Sequence, residues 1–144
     1  MSAYVRQISI SGSGNGGRVS GSWLKDNVAF NGTPKLVQND SLQVVIQASG
    51  GNAPATLNGY MIVGPAPLAP TTQSAASPFM NGNNQICVQT YANVSPSNNT
   101  YTFSPALVAP NPGQGTRQFE LTFVAVDPSS GKQWEEDPEF DTGN

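Results

Sequence analysis

Acidic side chains are the first candidates for chemistry in this sequence, because most of them fall within one segment. The chain has 144 residues, of which nine are Asp or Glu. Seven of these nine acids lie in the last part of the sequence: Glu120, Asp127, Glu135, Glu136, Asp137, Glu139 and Asp141. Carboxylates in such numbers serve as general acids and bases in hydrolases, as oxygen ligands for calcium, or as a solvated charged surface.

The spacing of the acids argues against catalysis. A glycoside hydrolase needs two carboxylates on opposite sides of a sugar-binding cleft, whereas the densest acids crowd residues 135–141 around Pro138. Calcium accepts closely spaced oxygen ligands, but the loop spacing of an EF-hand is absent, and whether this segment binds calcium stays open. The sequence favours a solvated or partner-facing acidic tail over residues 137–144, after a single domain over residues 1–136.

Other catalytic and cofactor motifs are missing. The chain contains no histidine, which removes the commonest general base and the most frequent zinc ligand. Cys87, the single cysteine, lies in the alternating run QICVQTY, where a buried and unreactive thiol is expected. The glycine-rich stretch 12–17 lacks the surrounding strand and helix that a dinucleotide fingerprint requires. We therefore expect a protein that is not an enzyme and that binds no metal or cofactor.

The charge distribution excludes one class of partner. Only 10% of the residues are charged, and five Lys and Arg residues are scattered over residues 1–118. Nucleic acid binding needs clustered basic side chains that displace counterions, so we expect no nucleic acid partner. The first residues lack the basic and apolar regions of a secretory signal. This predicts synthesis without a signal peptide and a cytoplasmic location, with release from the cell as the route to any extracellular action.

Apolar residues alternate with polar ones in almost every hydrophobic segment, which is the pattern of strands with one buried face. In SLQVVIQA the side chains of Leu42, Val44 and Ile46 share one face, and QFELTFVAV repeats the pattern. Gly, Pro, Asn and Ser separate these segments, and none has a sustained helical repeat. The sequence predicts an all-β, single-domain antiparallel β-sandwich of about eight or nine strands. The long connection over residues 64–84 is expected either to carry function or to cover a sheet.

One stretch is similar to a known family. In ICVQTYANVSPSNNTYTF, a strand with Cys87 leads into a Pro96 turn and then into a second strand through Thr100 and Tyr101. This order resembles the central region of the aegerolysins, and PKLVQNDSLQVVIQASG and SGSWL resemble upstream parts of the same family. Where that family carries a tryptophan-rich cluster around the turn, this chain has Tyr, Ala, Asn and Val at residues 91–94.

The resemblance implies a β-sandwich that binds membrane lipids of a neutral or sphingolipid-like kind. It also implies a larger perforin-like partner, with which such proteins form cytolytic or insecticidal pores. Tyr91, Tyr101 and Trp23 would then place amphipathic rings at the level of the lipid head groups, and Pro96 would shape the loop that presents them. The alternative for these aromatic residues is that they fill the core of the sandwich.

Two further functions are compatible with a neutral, polar β domain. A lectin-like carbohydrate-binding module would use an exposed aromatic ring as a platform, with Asn, Gln and Asp side chains contacting sugar hydroxyls. A structural protein would instead assemble with itself as a homo-oligomer. The sequence leaves these alternatives open beside the lipid-binding hypothesis.

Overall fold

The computed structural model describes residues 1–12, 14–65, 87–107 and 117–142. These residues form thirteen strands and no helix, so the prediction of an all-β fold is confirmed. The β1 sheet contains β1 (Ala3–Ser11), β3 (Gly21–Lys25), β4 (Val28–Phe30), β6 (Ser41–Ser49), β9 (Thr100–Thr102) and β10 (Ala106–Leu107). The β11 sheet contains β2 (Gly17–Arg18), β5 (Lys35–Leu36), β7 (Leu57–Pro65), β8 (Cys87–Val94), β11 (Arg117–Val126), β12 (Gln133–Glu136) and β13 (Glu139–Thr142).

Two expectations fall partly outside the described residues. The long connection predicted over residues 64–84 lies outside them from residue 66 onward. The backbone of Cys87 begins β8, but its side chain is not among the described ones, so the burial of its thiol stays a prediction.

Strand β6 shows how alternation produces the core. Leu42, Val44 and Ile46 are buried between the sheets, whereas Gln43 and Gln47 on the other face are more exposed. The same period places Tyr4, Ile8 and Ile10 of β1 in the core. Burial of such side chains contributes about 1.5–3 kcal/mol each, which makes this apolar layer the main source of stability.

Both sheets are mixed, whereas the sequence predicted an antiparallel sandwich. Strand β1 lies between β3, to which it is antiparallel, and β6, to which it is parallel over nine residue pairs. The chain crosses to the β11 sheet as β5 before it returns as β6, and such a crossover lets a strand enter in the parallel sense. Side-chain alternation is the same for both pairings, so the sequence could not separate them.

The described chain ends in strand β13, which pairs with β11, rather than in a tail. β12 and β13 both pair with β11 in one register, with Phe123 opposite Glu136 and Glu120 opposite Glu139. They form one line interrupted at Pro138, which has no N–H to donate but whose carbonyl accepts a hydrogen bond from Leu121 N at 2.8 Å.

The prediction of a solvated tail over residues 137–144 is therefore wrong for the described residues 137–142. Phe140 is fully buried, and its strand lies between β11 and β5. The acids alternate with inward-facing residues, so that Glu135, Asp137, Glu139 and Asp141 share the outer face while Trp134, Glu136 and Phe140 are buried. The high density of acids concealed an ordinary strand pattern.

Aromatic rings fill the space between the sheets. Phe103 and Phe123 meet at 4.9 Å between ring centroids, and Tyr91 contacts Phe103 at 5.3 Å, both with edge-to-face geometry. Gly59 on β7 allows this approach, because a Cβ there would lie 2.9 Å from the Phe123 ring. These contacts hold the β1 sheet against the β11 sheet near the end at which β11 leads into β12.

Candidate ligand-binding cleft

A polar cleft opens at the end of the molecule where loops from both sheets meet. Its volume is about 440 Å³, within the range of small-molecule sites. One wall is the connection between β6 and β7 together with the end of β1, and the other is the turn between β11 and β12. The lining residues are Gly12, Asn52, Ala53, Pro54, Ala55, Asp127, Ser129, Ser130 and Lys132.

The turn between β11 and β12 is a closed, hydrogen-bonded structure encoded by DPSSGK. Asp127 N donates to Lys132 O at 2.9 Å, and Gly131, with φ of +78°, donates its N–H to Asp127 O at 2.8 Å. The Asp127 carboxylate accepts hydrogen bonds from Ser129 N and Ser129 Oγ, both at 3.0 Å, and from Ser130 Oγ at 2.8 Å. Asp at the start of a turn and Gly at its left-handed position are the residue types that this geometry favours.

Hydrogen bonds within the turn stabilise the ionised form of the Asp127 carboxyl. Burial alone would raise the pKa of this carboxyl, but the hydrogen bonds from Ser129 and Ser130 together outweigh burial and lower the pKa below its ordinary value. Asp127 is therefore ionised at neutral pH. Most of its hydrogen-bonding capacity is used within the turn, so its first role is to shape the wall.

The opposite wall is held against the core at two points. The Tyr101 hydroxyl donates a hydrogen bond to the carbonyl oxygen of Pro54, and the Tyr101 ring is fully buried. Gly12 packs so closely against this wall that a Cβ there would lie 2.9 Å from Ala53 N. Asn52 turns the chain at the mouth of the cleft with φ of +65°, a conformation that Asn tolerates better than most residues.

The groups that face the cleft are suited to a small, uncharged polar ligand. Among the residues that line the cleft, Lys132 carries an ammonium donor, Asn52 carries an amide that can both donate and accept, and Ser129 and Ser130 carry hydroxyls with remaining lone pairs. Ala53 and Ala55 add small apolar patches. The lining residues include no His or Cys. The Ser129 and Ser130 hydroxyls do donate to the Asp127 carboxylate, but its lowered pKa makes that carboxylate a weak base.

The four residues predicted to bind lipid do not form one surface. Trp23 is buried beneath the Arg6 guanidinium, 5.0 Å from its ring centroid, and Tyr101 is in the core. Tyr91 is half-buried, and its hydroxyl donates to Ser104 O at 3.0 Å. Pro96 is partly exposed just before the tight turn at Asn98 and Asn99, both of which have positive φ. For Trp23 and Tyr101 the structure shows the alternative placement, which is packing in the core.

The cleft residues were missed as a site because none of them belongs to a recognised chemical motif. GGNAPA and DPSSGK are typical turn sequences, and turns are identified by Gly, Pro, Asn and Asp whether or not they bind anything. Only the packing of the two sheets brings residues 52–55 beside residues 127–132. The sequence signal that could have selected them is Asp127 followed by two serines, a self-capped turn.

The remaining acids take ordinary structural roles. Glu136 is buried and paired with Arg6, and Asp137 pairs with the exposed Arg18 at 3.2 Å. Burial and the neighbouring carboxylates of Asp137 and Glu139 raise the pKa of Glu120, and Arg18 offsets part of this effect. Among the described residues, no group of three or more His, Cys, Asp and Glu side chains is arranged to hold a metal ion.

Fold and site together define an all-β protein of two packed mixed sheets with a polar cleft at one end. A scan against protein-family models found no match, and a search of curated proteins found none either. Within the part of the chain that the structure describes, no helix could cross a membrane.

Proposed function

We propose that this protein is a non-enzymatic, lectin-like module that binds a neutral sugar in the cleft between residues 52–55 and residues 127–132. The observation that carries the proposal is the cleft itself, which is of ligand size and is lined mainly by polar groups from two anchored loops. Small-molecule sites are usually lined by apolar side chains with a few convergent polar groups. This cleft is mainly polar, which suits a ligand that is recognised through hydrogen bonds.

The charges of the cleft favour a neutral ligand over an ion. An anion would meet the ionised Asp127, and a cation would meet Lys132, so either ion gains from one group and is opposed by the other. Sugar hydroxyls both donate and accept, and they suit Asn52, Lys132 and the two serines together. The lining includes no aromatic ring, so this mode of binding rests on hydrogen bonds rather than on the ring platform expected from the sequence. Four such hydrogen bonds, at about 0.5–1.5 kcal/mol each, sum to about 2–6 kcal/mol. The cost of association is at least as large, so we expect an affinity no tighter than millimolar.

Titration with a panel of free mono- and disaccharides, followed by NMR or calorimetry, tests the proposal. We expect Lys132→Met and Asn52→Gly each to weaken binding, because each removes a polar group while Met keeps the aliphatic stem and Gly keeps the positive φ. Lys35→Met is the matched control, since Lys35 lies opposite Asp141 in the pairing of β5 with β13 and does not line the cleft. Failure of every sugar to bind, or equal weakening by the control, would contradict the proposal.

Lipid binding is the second candidate, and it rests on the partial exposure of Tyr91, whose ring also packs against Phe103 and Phe123. Tyr91 is partly exposed on β8, which leads directly into the Pro96 turn, as the aegerolysin resemblance requires. In this proposal Tyr91 and Pro96 contact neutral or sphingolipid head groups, with a perforin-like partner, while Trp23 and Tyr101 take no direct part. Flotation with sphingomyelin and sterol vesicles tests it: Tyr91→Ala should weaken binding, and binding should survive high salt because basic residues are sparse.

A further inference from the structure

Tyr101 and Phe103 occupy neighbouring inward-facing positions beside β6. Both side chains are fully buried, and both lie opposite β6, with Tyr101 paired to Ile46 and Phe103 N donating to Val44 O at 3.1 Å. The chain uses phenylalanine at one position and tyrosine at the other. Packing alone would be served by either residue, so the hydroxyl of Tyr101 is the feature that needs a separate explanation.

The Tyr101 hydroxyl reaches the inner side of the cleft wall. It donates to the carbonyl of Pro54, which lines the cleft and is itself buried. Pro54 has no N–H, so it cannot be fixed as a donor in a backbone ladder. Burial, and then the charge of Asp127, raise the pKa of Tyr101, which keeps the hydroxyl protonated as a donor throughout the neutral range.

We infer that Tyr101 is a positioning residue for the cleft: its hydroxyl holds the wall formed by residues 52–55 at the distance from the Asp127 turn that ligand binding requires. The inference rests on the proposed sugar-binding function and deepens it. Gly12 supports the same wall from a second side, because only a residue without a Cβ lets Ala53 approach the end of β1. The wall is thus fixed by one hydrogen bond and one close backbone contact.

Tyr101→Phe isolates the hydroxyl, because it keeps the buried ring and removes only the bond to Pro54. We expect it to weaken sugar binding about tenfold, since the Pro54 carbonyl loses its donor and the wall loosens. We also expect faster amide hydrogen exchange at residues 51–53 and 55 without ligand. Tyr91→Phe is the control: it removes a tyrosine-to-carbonyl bond that is exposed rather than buried, to Ser104, and should change neither measurement.

A second pair of variants tests the same wall without changing the core. Gly12→Ala places a Cβ against Ala53 N and should push the wall outward, raising exchange at residues 51–53 and lowering sugar affinity. Gly51→Ala, within the wall loop itself, is its control, because a Cβ there meets nothing within 4 Å. This pair tests whether affinity depends on the position of the wall, as the inference requires. Unchanged affinity of Gly12→Ala despite faster exchange would overturn the inference even if Tyr101→Phe proves too unstable to measure.

The two proposals fail in distinguishable ways. If the wild-type protein binds no sugar, the proposed function fails, while the exchange measurements still report whether Tyr101 holds the wall. If the wild type binds sugar and Tyr101→Phe matches it in affinity and exchange, the positioning role is overturned and the proposed function stands. If both Tyr101→Phe and Tyr91→Phe weaken binding equally, the effect is a general loss of stability and the inference is likewise overturned.

Discussion

The buried ion pair between Arg6 of β1 and Glu136 of β12 connects the two sheets. Arg6 Nε and Nη2 donate to the two carboxylate oxygens of Glu136 at 2.7 and 2.6 Å, and the guanidinium also covers the Trp23 ring. Gly21 leaves room for the carboxylate, because a Cβ there would lie 2.7 Å from Glu136 Oε2. Both charges are largely removed from water, so each depends on the other.

Glu136→Ala should destabilise the protein by about 3–5 kcal/mol, because it leaves the Arg6 charge buried without a partner. Urea unfolding measures the loss. Arg18→Ala breaks the other ion pair, in which the Arg18 side chain is 79% exposed, and should cost at most about 1 kcal/mol. Similar losses from the two variants would contradict the assignment of Arg6 and Glu136 as a desolvated pair.

The turn carboxylate of Asp127 should make stability depend on acid pH. Its pKa in the folded protein is below the ordinary value of 3.8, so the folded state binds this proton less readily than the unfolded state. The stabilisation is complete above pH 3.8 and is lost as the pH falls through the lower folded pKa. Asp127→Asn should flatten this acid limb of a plot of unfolding free energy against pH. An unchanged slope would show that the Ser129 and Ser130 hydrogen bonds do not favour the ionised form.

At the scale of elements, β13 is expected to be essential to the fold although it is rich in acids. Phe140→Ala should cost about 3–5 kcal/mol, because it empties a fully buried aromatic position. Removing the chain from residue 139 onward should unfold the protein, since β11 loses a partner strand and β5 loses its only neighbour among the described strands. Asp141→Asn, on the outer face of the same strand, is the control. Thermal unfolding of the truncated chain at the wild-type temperature would contradict this role.

The sequence predicted the long strands because their alternation is a local property. β6 and β11 were each recognised from residues that repeat with period two. The two-residue strands β2, β5 and β10 have no period to detect. Phe140 was overlooked because it is the single apolar residue of its strand and stands between two acids. The high acid content of the segment suggested a solvated tail, although its residues alternate as in a strand.

The candidate site was predictable only as two separate turns. Asn52 and Asp127 were each visible as turn residues, but their proximity results from the packing of one sheet on the other. The opposite ambiguity affected Trp23 and Tyr101: the aegerolysin resemblance implied a surface role, core packing was the alternative, and both residues are buried. An aromatic residue on an alternating strand has the same sequence pattern whether it faces the core or a ligand, so these positions required the structure.

At the scale of the whole molecule, the sugar proposal predicts binding that is insensitive to ionic strength. The net charge is −3, and a neutral ligand neither gains nor loses a long-range interaction with it. Raising the salt from about 0.1 M to about 1 M shortens the Debye length from about 10 Å to about 3 Å and should leave the sugar affinity unchanged within twofold. A large fall in affinity, measured by calorimetry, would indicate a charged ligand instead.

The parallel pairs β2–β12 and β5–β13 connect opposite ends of the sequence, with Gly17 opposite Trp134 and Lys35 opposite Asp141. A nascent chain cannot form either pair until the last hairpin strand has been synthesised. Closing such long loops is entropically costly, and domains dominated by distant pairings fold in milliseconds to seconds rather than microseconds. Strands β1, β3 and β4 pair with one another early in the sequence, whereas β2 and β5 have no strand partner among the described residues until β12 and β13 have been synthesised. We therefore expect the β11 sheet to be completed only after the whole described chain is available, and the β1–β3–β4 part of the other sheet to form first.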